Sequence, residues 1–243
     1  QAYELWFKQI LHEMESVITL FSADAVDDAS LGTAVSRLNR IVEVQKLLID
    51  QLRVLETMTP MDFLDFRDFL FPASGFQSVQ FRLVEIAFGL RVEQRLLYNQ
   101  FAYHTRASPE HQALLKQEEA KPSLYDLVER WLERTPFLEA SDYSFWQEYR
   151  TAVLDMLARD RGVVQGNDTL AELEKLVQSE ELDATEARFN ALFEEAQHDE
   201  LRRSGKRRLS HRATQAALFI LLYRDQPVLQ LPFRLLSALI DID

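Results

Sequence analysis

Residues 55–82 read LETMTPMDFLDFRDFLFPASGFQSVQFR, and their punctuation implies two consecutive helices. Thr59-Pro60-Met61-Asp62 offers an N-cap threonine, proline at the first helical position and an acid at the third. The helix it opens puts Phe63, Arg67 and Leu70 on one face at i, i+4 and i+7, and Pro72 breaks it. Ser74-Gly75-Phe76-Gln77 then has the form of a capping box. The helix behind it repeats Phe76, Val79, Leu83, Ile86 and Leu90 at i, i+3, i+7, i+10 and i+14.

The same period runs outward in both directions. In residues 1–21, Tyr3, Trp6, Phe7, Ile10, Met14, Val17, Ile18 and Phe21 keep helical spacing, with Glu4 and Lys8 paired at i, i+4. No capping residue precedes this helix, as would hold if the chain started inside a helix of a longer protein. Residues 22–32 read as a polar loop, followed by a helix to about Met58 with Leu38, Ile41, Leu48, Leu52 and Leu55 facing inward. Beyond Tyr98 the chain is polar to about Pro122. Ser123-Leu124-Tyr125-Asp126 then caps a helix that carries Leu127, Val128, Trp131 and Leu132 and ends near Thr135-Pro136. Helical period returns at 142–160, 168–180, 183–203, 208–224 and 232–240, with Gly205 and Pro227 as breaks and Pro232 as a start. Residues 161–203 are acidic and surface-like, and read as a peripheral helical hairpin. No strand pattern and no internal repeat is visible. The expectation is an all-α, multi-helical bundle forming one domain over residues 1–243.

Composition narrows the partners. A chain of 243 residues can bury a sizeable core, and its 6 glycines, far below the average usage of ~7%, imply few tight turns. A formal net charge of −12 argues against nucleic acid or an anionic membrane as the main partner. Without cysteine there is no disulfide, thiolate nucleophile or thiolate metal site, which is compatible with a reducing cytoplasm. The longest apolar run, Ala216–Tyr223, is too short to span a bilayer.

Motifs that carry chemistry are few. There is no H-E-x-x-H, P-loop or G-x-G-x-x-G. His12, His104, His111, His198 and His211 have no i, i+3 or i, i+4 ligand spacing between them, so each reads as a surface or packing histidine. The run Arg202-Arg203-Ser204-Gly205-Lys206-Arg207-Arg208 reads as a solvated helix end. The opening stretch stands apart. A guanidinium in an apolar stripe is costly unless an anion meets it, and the helix start at Ser74 and Gly75 would expose N–H groups to an anion, with Arg82 about two turns further on. The partner of Arg67 could be a ligand's carboxylate. Alternatively Arg67 pairs with Asp65, Asp68 or a distant acid, and Arg82 with Glu85.

The stretch from Leu55 to Arg82 closely resembles the tryptophan 2,3-dioxygenase family, haem enzymes that open the indole ring of L-tryptophan. QAYELWFKQILHEMESV at 1–17, RLNRIVEVQKLLIDQL at 37–52, LVERWLERTPFLE at 127–139, KRRLSHRATQAAL at 206–218 and LPFRLLSALIDID at 231–243 also match in order. The weakest parts are about 99–121 and 158–200. The resemblance implies that Arg67, the arginine of D-F-R, holds the substrate carboxylate and that Phe63 lines the indole pocket. It implies that Ser74 sits over the haem near the reacting face, that Leu70 and Gly75 belong to the haem pocket, and that Arg82 suits a haem propionate. It further implies haem b, L-tryptophan and O2 as partners, a cytoplasmic homotetramer, and N-formylkynurenine as product.

In the family a distal histidine precedes the Q-A-Y-E-L-W segment and the iron-ligating histidine follows D-I-D in a W-R-x-x-H stretch. They would therefore fall just before Gln1 and beyond Asp243, so this chain contributes no catalytic histidine and no metal ligand. Missing flanks, or a relic that has lost the ligand, would both give this pattern. Two functions follow: a haem dioxygenase seen as its helical core, inactive on its own as these 243 residues, or a non-catalytic helical interaction module.

Overall fold

The computed structural model describes residues 2–70, 78–90, 108–136, 138–140 and 143–242. Within them the chain is all-α, apart from a two-residue ladder in which β1 (Glu139–Ala140) pairs antiparallel with β2 (Tyr143–Ser144). It divides into two compact units, residues 1–128 with 224–243, and residues 129–223. The first is built from α1 (Ala2–Phe21), α2 (Asp28–Glu56), α3 (Pro60–Leu70), α4 (Val79–Phe88), α5 (Pro109–Glu119) and the start of α6 (Leu124–Glu133). The second holds the end of α6, the ladder, α7 (Phe145–Gly166), α8 (Glu172–Phe193), α9 (Glu195–Arg203) and α10 (His211–Leu222). The chain then returns to the first unit through a 3-10 turn at Pro227–Leu229 and α11 (Gln230–Ile242).

In the first unit α2 is the central element, with α1 and α11 both packed on it and α4 on α1. The apolar stripe of α1 is buried at Ile10, Met14, Val17 and Phe21, and that of α2 at Leu31, Ala34, Leu38 and Ile41. Each large apolar side chain so buried contributes about 1.5–3 kcal/mol. One acid is also buried: Glu13 is 2% exposed and accepts from Gln9, Arg37 and Arg40. Gly89 ends α4 at φ 103°, where a Cβ would meet Ser123 Oγ and Tyr125 Cβ at 2.7 Å.

In the second unit α7 and α8 run antiparallel. Val153, Leu157 and Phe193 form their core, with Trp146, Tyr149, Leu182 and Phe189 against it, and Arg161 pairs with Asp183 and Glu186 across them. Glu129 accepts from Arg202 at 2.9 and 3.1 Å and from the Ser210 amide at 2.7 Å. The arginine-rich run is therefore partly tied into the unit rather than wholly solvated. Gly205, at φ 75°, closes α9 with Gly205 N–H on Arg202 O and Lys206 N–H on Leu201 O, the Schellman arrangement.

Several boundaries differ from the sequence reading, each for a local reason. α2 starts at Asp28 rather than after residue 32, because Asp27 accepts from the Ser30 amide at 2.7 Å and caps it. The stretch read as polar to Pro122 contains α5, opened by Ser108 and Pro109. Only Leu115 of α5 is buried, so its apolar period is faint. α8 runs unbroken through 181–182, where nothing in the sequence stops a helix, and ends at Phe193 with Glu194 as its C-cap. Pro232 lies inside α11, which starts at Gln230. Leu52 and Leu55, expected inward, are 48% and 55% exposed.

Candidate functional site

α3 is positioned by its cap. The Thr59 amide and hydroxyl donate to Asp62 Oδ2 at 2.9 and 2.7 Å, and the Asp62 amide donates back to Thr59 Oγ1 at 3.2 Å. These bonds hold the Asp62 carboxyl below its ordinary value. Phe63, Arg67 and Leu70 share a face as the spacing requires, and Phe63 meets Phe66 edge-on with ring centroids 5.5 Å apart. The stripe is not an interior one. No residue of α3 is buried; Phe63 is 41% and Leu70 45% exposed, and Arg67 is exposed. Among the described residues no carboxylate pairs with Arg67, Asp65 and Asp68 included. The guanidinium is therefore hydrated in this chain, and the burial cost expected from the sequence does not arise.

Arg82 has the opposite environment. It lies on α4, is 7% exposed, and donates to Glu85 Oε2 at 2.6 Å with its guanidinium 5.3 Å from the Phe81 ring centroid. The Arg82–Glu85 pairing is the one the residues alone had offered. The start of α4 differs from the expected capping box: Ser78, accepting from the Phe81 amide at 3.1 Å, is the cap, and the helix begins at Val79. Arg82 is thus in the first turn and bonds back to Ser78 O. Ser74 and Gly75 lie outside the described residues, as does the break at Pro72. Among the described residues no hydrogen bond or ion pair joins α3 to α4.

Beside Phe81 is an apolar groove of about 660 Å3. Tyr3 and Phe7 of α1, Val42, Leu48, Ile49 and Leu52 of α2, and Ile242 of α11 line it, with Lys46 and Asp241 at its edge. The rings of Phe7 and Phe81 are 5.2 Å apart, the Tyr3 hydroxyl donates to Leu48 O at 2.8 Å, and Gln45 Nε2 donates to Ile242 O at 3.1 Å. The sequence reading missed this groove. Its signal was available in Leu52, Ile49 and Phe81, three large apolar side chains more than the helix packing needs. Such walls suit an apolar ligand, with Lys46 and Asp241 placed to meet polar groups at its edge. The lining contains no histidine, and among the described residues no group of three or more histidine or acidic side chains could hold a metal. His12 and His111 are exposed and His198 and His211 belong to the second unit. His104 lies outside the described residues.

Comparison with known proteins places the chain in a family. The family described as Tryptophan 2,3-dioxygenase matches residues 1–243. Proteins named tryptophan 2,3-dioxygenase from Alteromonas mediterranea and Bdellovibrio bacteriovorus are 48% and 50% identical over all 243 residues. One of the same name from Dictyostelium discoideum is 42% identical.

The chain belongs to the tryptophan 2,3-dioxygenase family. It covers 67% and 68% of the two bacterial relatives and 61% of the Dictyostelium one. The tryptophan 2,3-dioxygenase family is thus represented here by a helical body whose D-F-R arginine is exposed and whose Q-F-R arginine is buried. Among the described residues no helix is long and apolar enough to cross a membrane.

Proposed function

We propose that this chain forms the helical body of an enzyme that inserts O2 across the indole C2–C3 bond of L-tryptophan, giving N-formylkynurenine. The observation that carries the reading is the family match over the whole chain, joined to an arginine on an aromatic-bearing helix that no described carboxylate occupies. Arg67 is suited to a two-bond pairing with the substrate carboxylate, and Phe63 to an apolar wall for the indole. Ser74 would stand over the haem near the reacting face, and Gly75 would belong to the haem pocket. Haem b, when bound, supplies the iron that takes up and activates O2. Phe7, Leu52 and Phe81 of the groove would hold its apolar faces, Leu70 would belong to its pocket, and Arg82 would suit a propionate. Residues 1–243 would act as one domain with 161–203 as a peripheral insertion, in a cytoplasmic enzyme.

Four copies of the chain would cover the apolar side chains that α2 and α3 leave exposed, among them Ile49, Val54, Leu64 and Phe69. The test of the reading is haem reconstitution of the intact enzyme. A Soret band with tryptophan-dependent formation of N-formylkynurenine is expected; a chain that takes up no haem and turns over no tryptophan would be a non-catalytic helical module.

A further inference from the structure

His198 lies on α9 and is 0% exposed. Its Nε2 is 3.3 Å from Thr214 Oγ1 on α10, and that hydroxyl already donates its proton to Ser210 O at 2.9 Å. The hydroxyl must therefore accept, so Nε2 carries the hydrogen and Nδ1 is a bare lone pair. Nδ1 has no hydrogen-bond partner; Asp199 Oδ1, the nearest anion, is 4.0 Å away. The ring centroid stands 5.2 Å from that of His211. His211 is held beside it, with Nε2 facing Leu192 O at 3.1 Å and Nδ1 facing the Gln215 amide nitrogen at 3.3 Å. The two imidazoles thus meet where α9 packs on α10, and a proton on His198 Nδ1 would be a buried donor with no acceptor nearer than Asp199.

The charges around His198 oppose a proton there. Arg207 from the loop after α9, Arg202 on α9 and His211 on α10 all disfavour it, and Arg202 is committed to Glu129 of α6. Asp199 alone favours it, from a mostly exposed position. Burial is the largest influence, and with these charges it pushes the imidazole below its ordinary value of 6.5.

We propose that His198, packed against His211, is an acid-sensitive latch, which keeps α9 seated on α10 while its ring is neutral and releases it when His198 takes a proton. The sign follows from the unfolded or released state binding the proton more readily. The latch is at full strength above about pH 6.5, and it weakens as the pH falls from there through the lower value of the seated ring.

The test is amide exchange in α9 of the haem-loaded enzyme at pH 7.5 and 5.0, corrected for the intrinsic pH dependence of exchange. Protection of α9 should fall roughly tenfold for each pH unit by which the seated value lies below the free one. His198→Phe, which keeps a ring but cannot protonate, should abolish that fall. Arg207→Gln, which removes an opposing charge at a half-exposed position, should shrink it. Unchanged α9 protection in the wild type between the two pH values would overturn the proposal. So would an undiminished fall in either variant, and the Arg207→Gln comparison decides alone if His198→Phe does not fold.

Discussion

Arg40 donates to Glu13 Oε1 at 2.7 Å across the contact between α1 and α2, while Arg37 donates to Oε2 at 2.9 Å. The acid is buried and the arginines are not, with side-chain exposures of 3%, 53% and 29%. Removing Glu13 therefore leaves two cations that water can still reach, a milder loss than stranding a fully buried charge. Glu13→Ala should destabilise by about 2 kcal/mol and lower Tm by ~4–8 °C. A thermal melt checks this.

The same carboxyl sets an acid limit. Burial pushes its pKa up, but the hydrogen bonds and charges of Arg40 and Arg37 outweigh that and hold it below 4.5. Its contribution is present in full above about pH 4.5 and lost as the pH falls through the lower folded value. Urea titrations between pH 7 and 3 should show part of the acid loss disappearing in Glu13→Gln; an unaltered profile would remove the assignment.

The two arginines of the candidate site should respond in opposite ways. Arg67→Ala should cost about 2–5 kcal/mol of transition-state stabilisation, or roughly a 30- to 5,000-fold loss in kcat/KM. Its folding stability should stay within about 0.5 kcal/mol of wild type, since no described acid loses a partner. Tryptamine, which lacks the carboxylate, should be a poor substrate for the parent and barely affected by the change. A variant that melts early yet keeps near-normal kcat/KM would make Arg67 structural.

Arg82→Ala should lower stability directly, because it strands Glu85, whose side chain is only 15% exposed. A loss of about 2–3 kcal/mol, or ~4–12 °C in Tm, is expected even without haem. Differential scanning calorimetry with and without haem separates this from cofactor loss.

Two glycines should diverge on substitution by alanine. Gly89→Ala meets both a φ of 103° and atoms at 2.7 Å, and should cost about 2–3 kcal/mol. Gly32 sits within α2 with nothing within 4 Å of an added Cβ, so Gly32→Ala should stabilise by about 0.5–1 kcal/mol. Chemical denaturation of both variants reads the difference.

The helices were legible wherever a cap and an apolar period coincided, as at Thr59–Asp62 and Ser123–Asp126, whose side chains make the expected reciprocal bonds. They were obscure where burial is slight: α5 buries only Leu115, and α8 only Phe193, so neither shows a clean stripe. Sequence placed Phe63, Arg67 and Leu70 on one face but took that face to be an interior one, because periodicity reports a shared direction and not what covers it. Glu13 and His198 were invisible for a related reason: a buried polar residue is defined by partners distant in sequence, here Arg37, Arg40 and Thr214. The groove at Phe81 needs four helices to exist at all.

The exposure of α3 bears on affinity. A helix of eleven residues with none buried has little beyond its Thr59 cap to keep it wound, and isolated helices shorter than ~12–15 residues are marginal in water. If a substrate carboxylate meets Arg67, as proposed, part of the free energy released would go into holding wound the helix that carries it. Tryptophan affinity and the helicity of residues 60–70 are, on this account, one coupled equilibrium. A neighbouring copy that covers Leu64 and Phe69 would tighten substrate binding without touching the substrate.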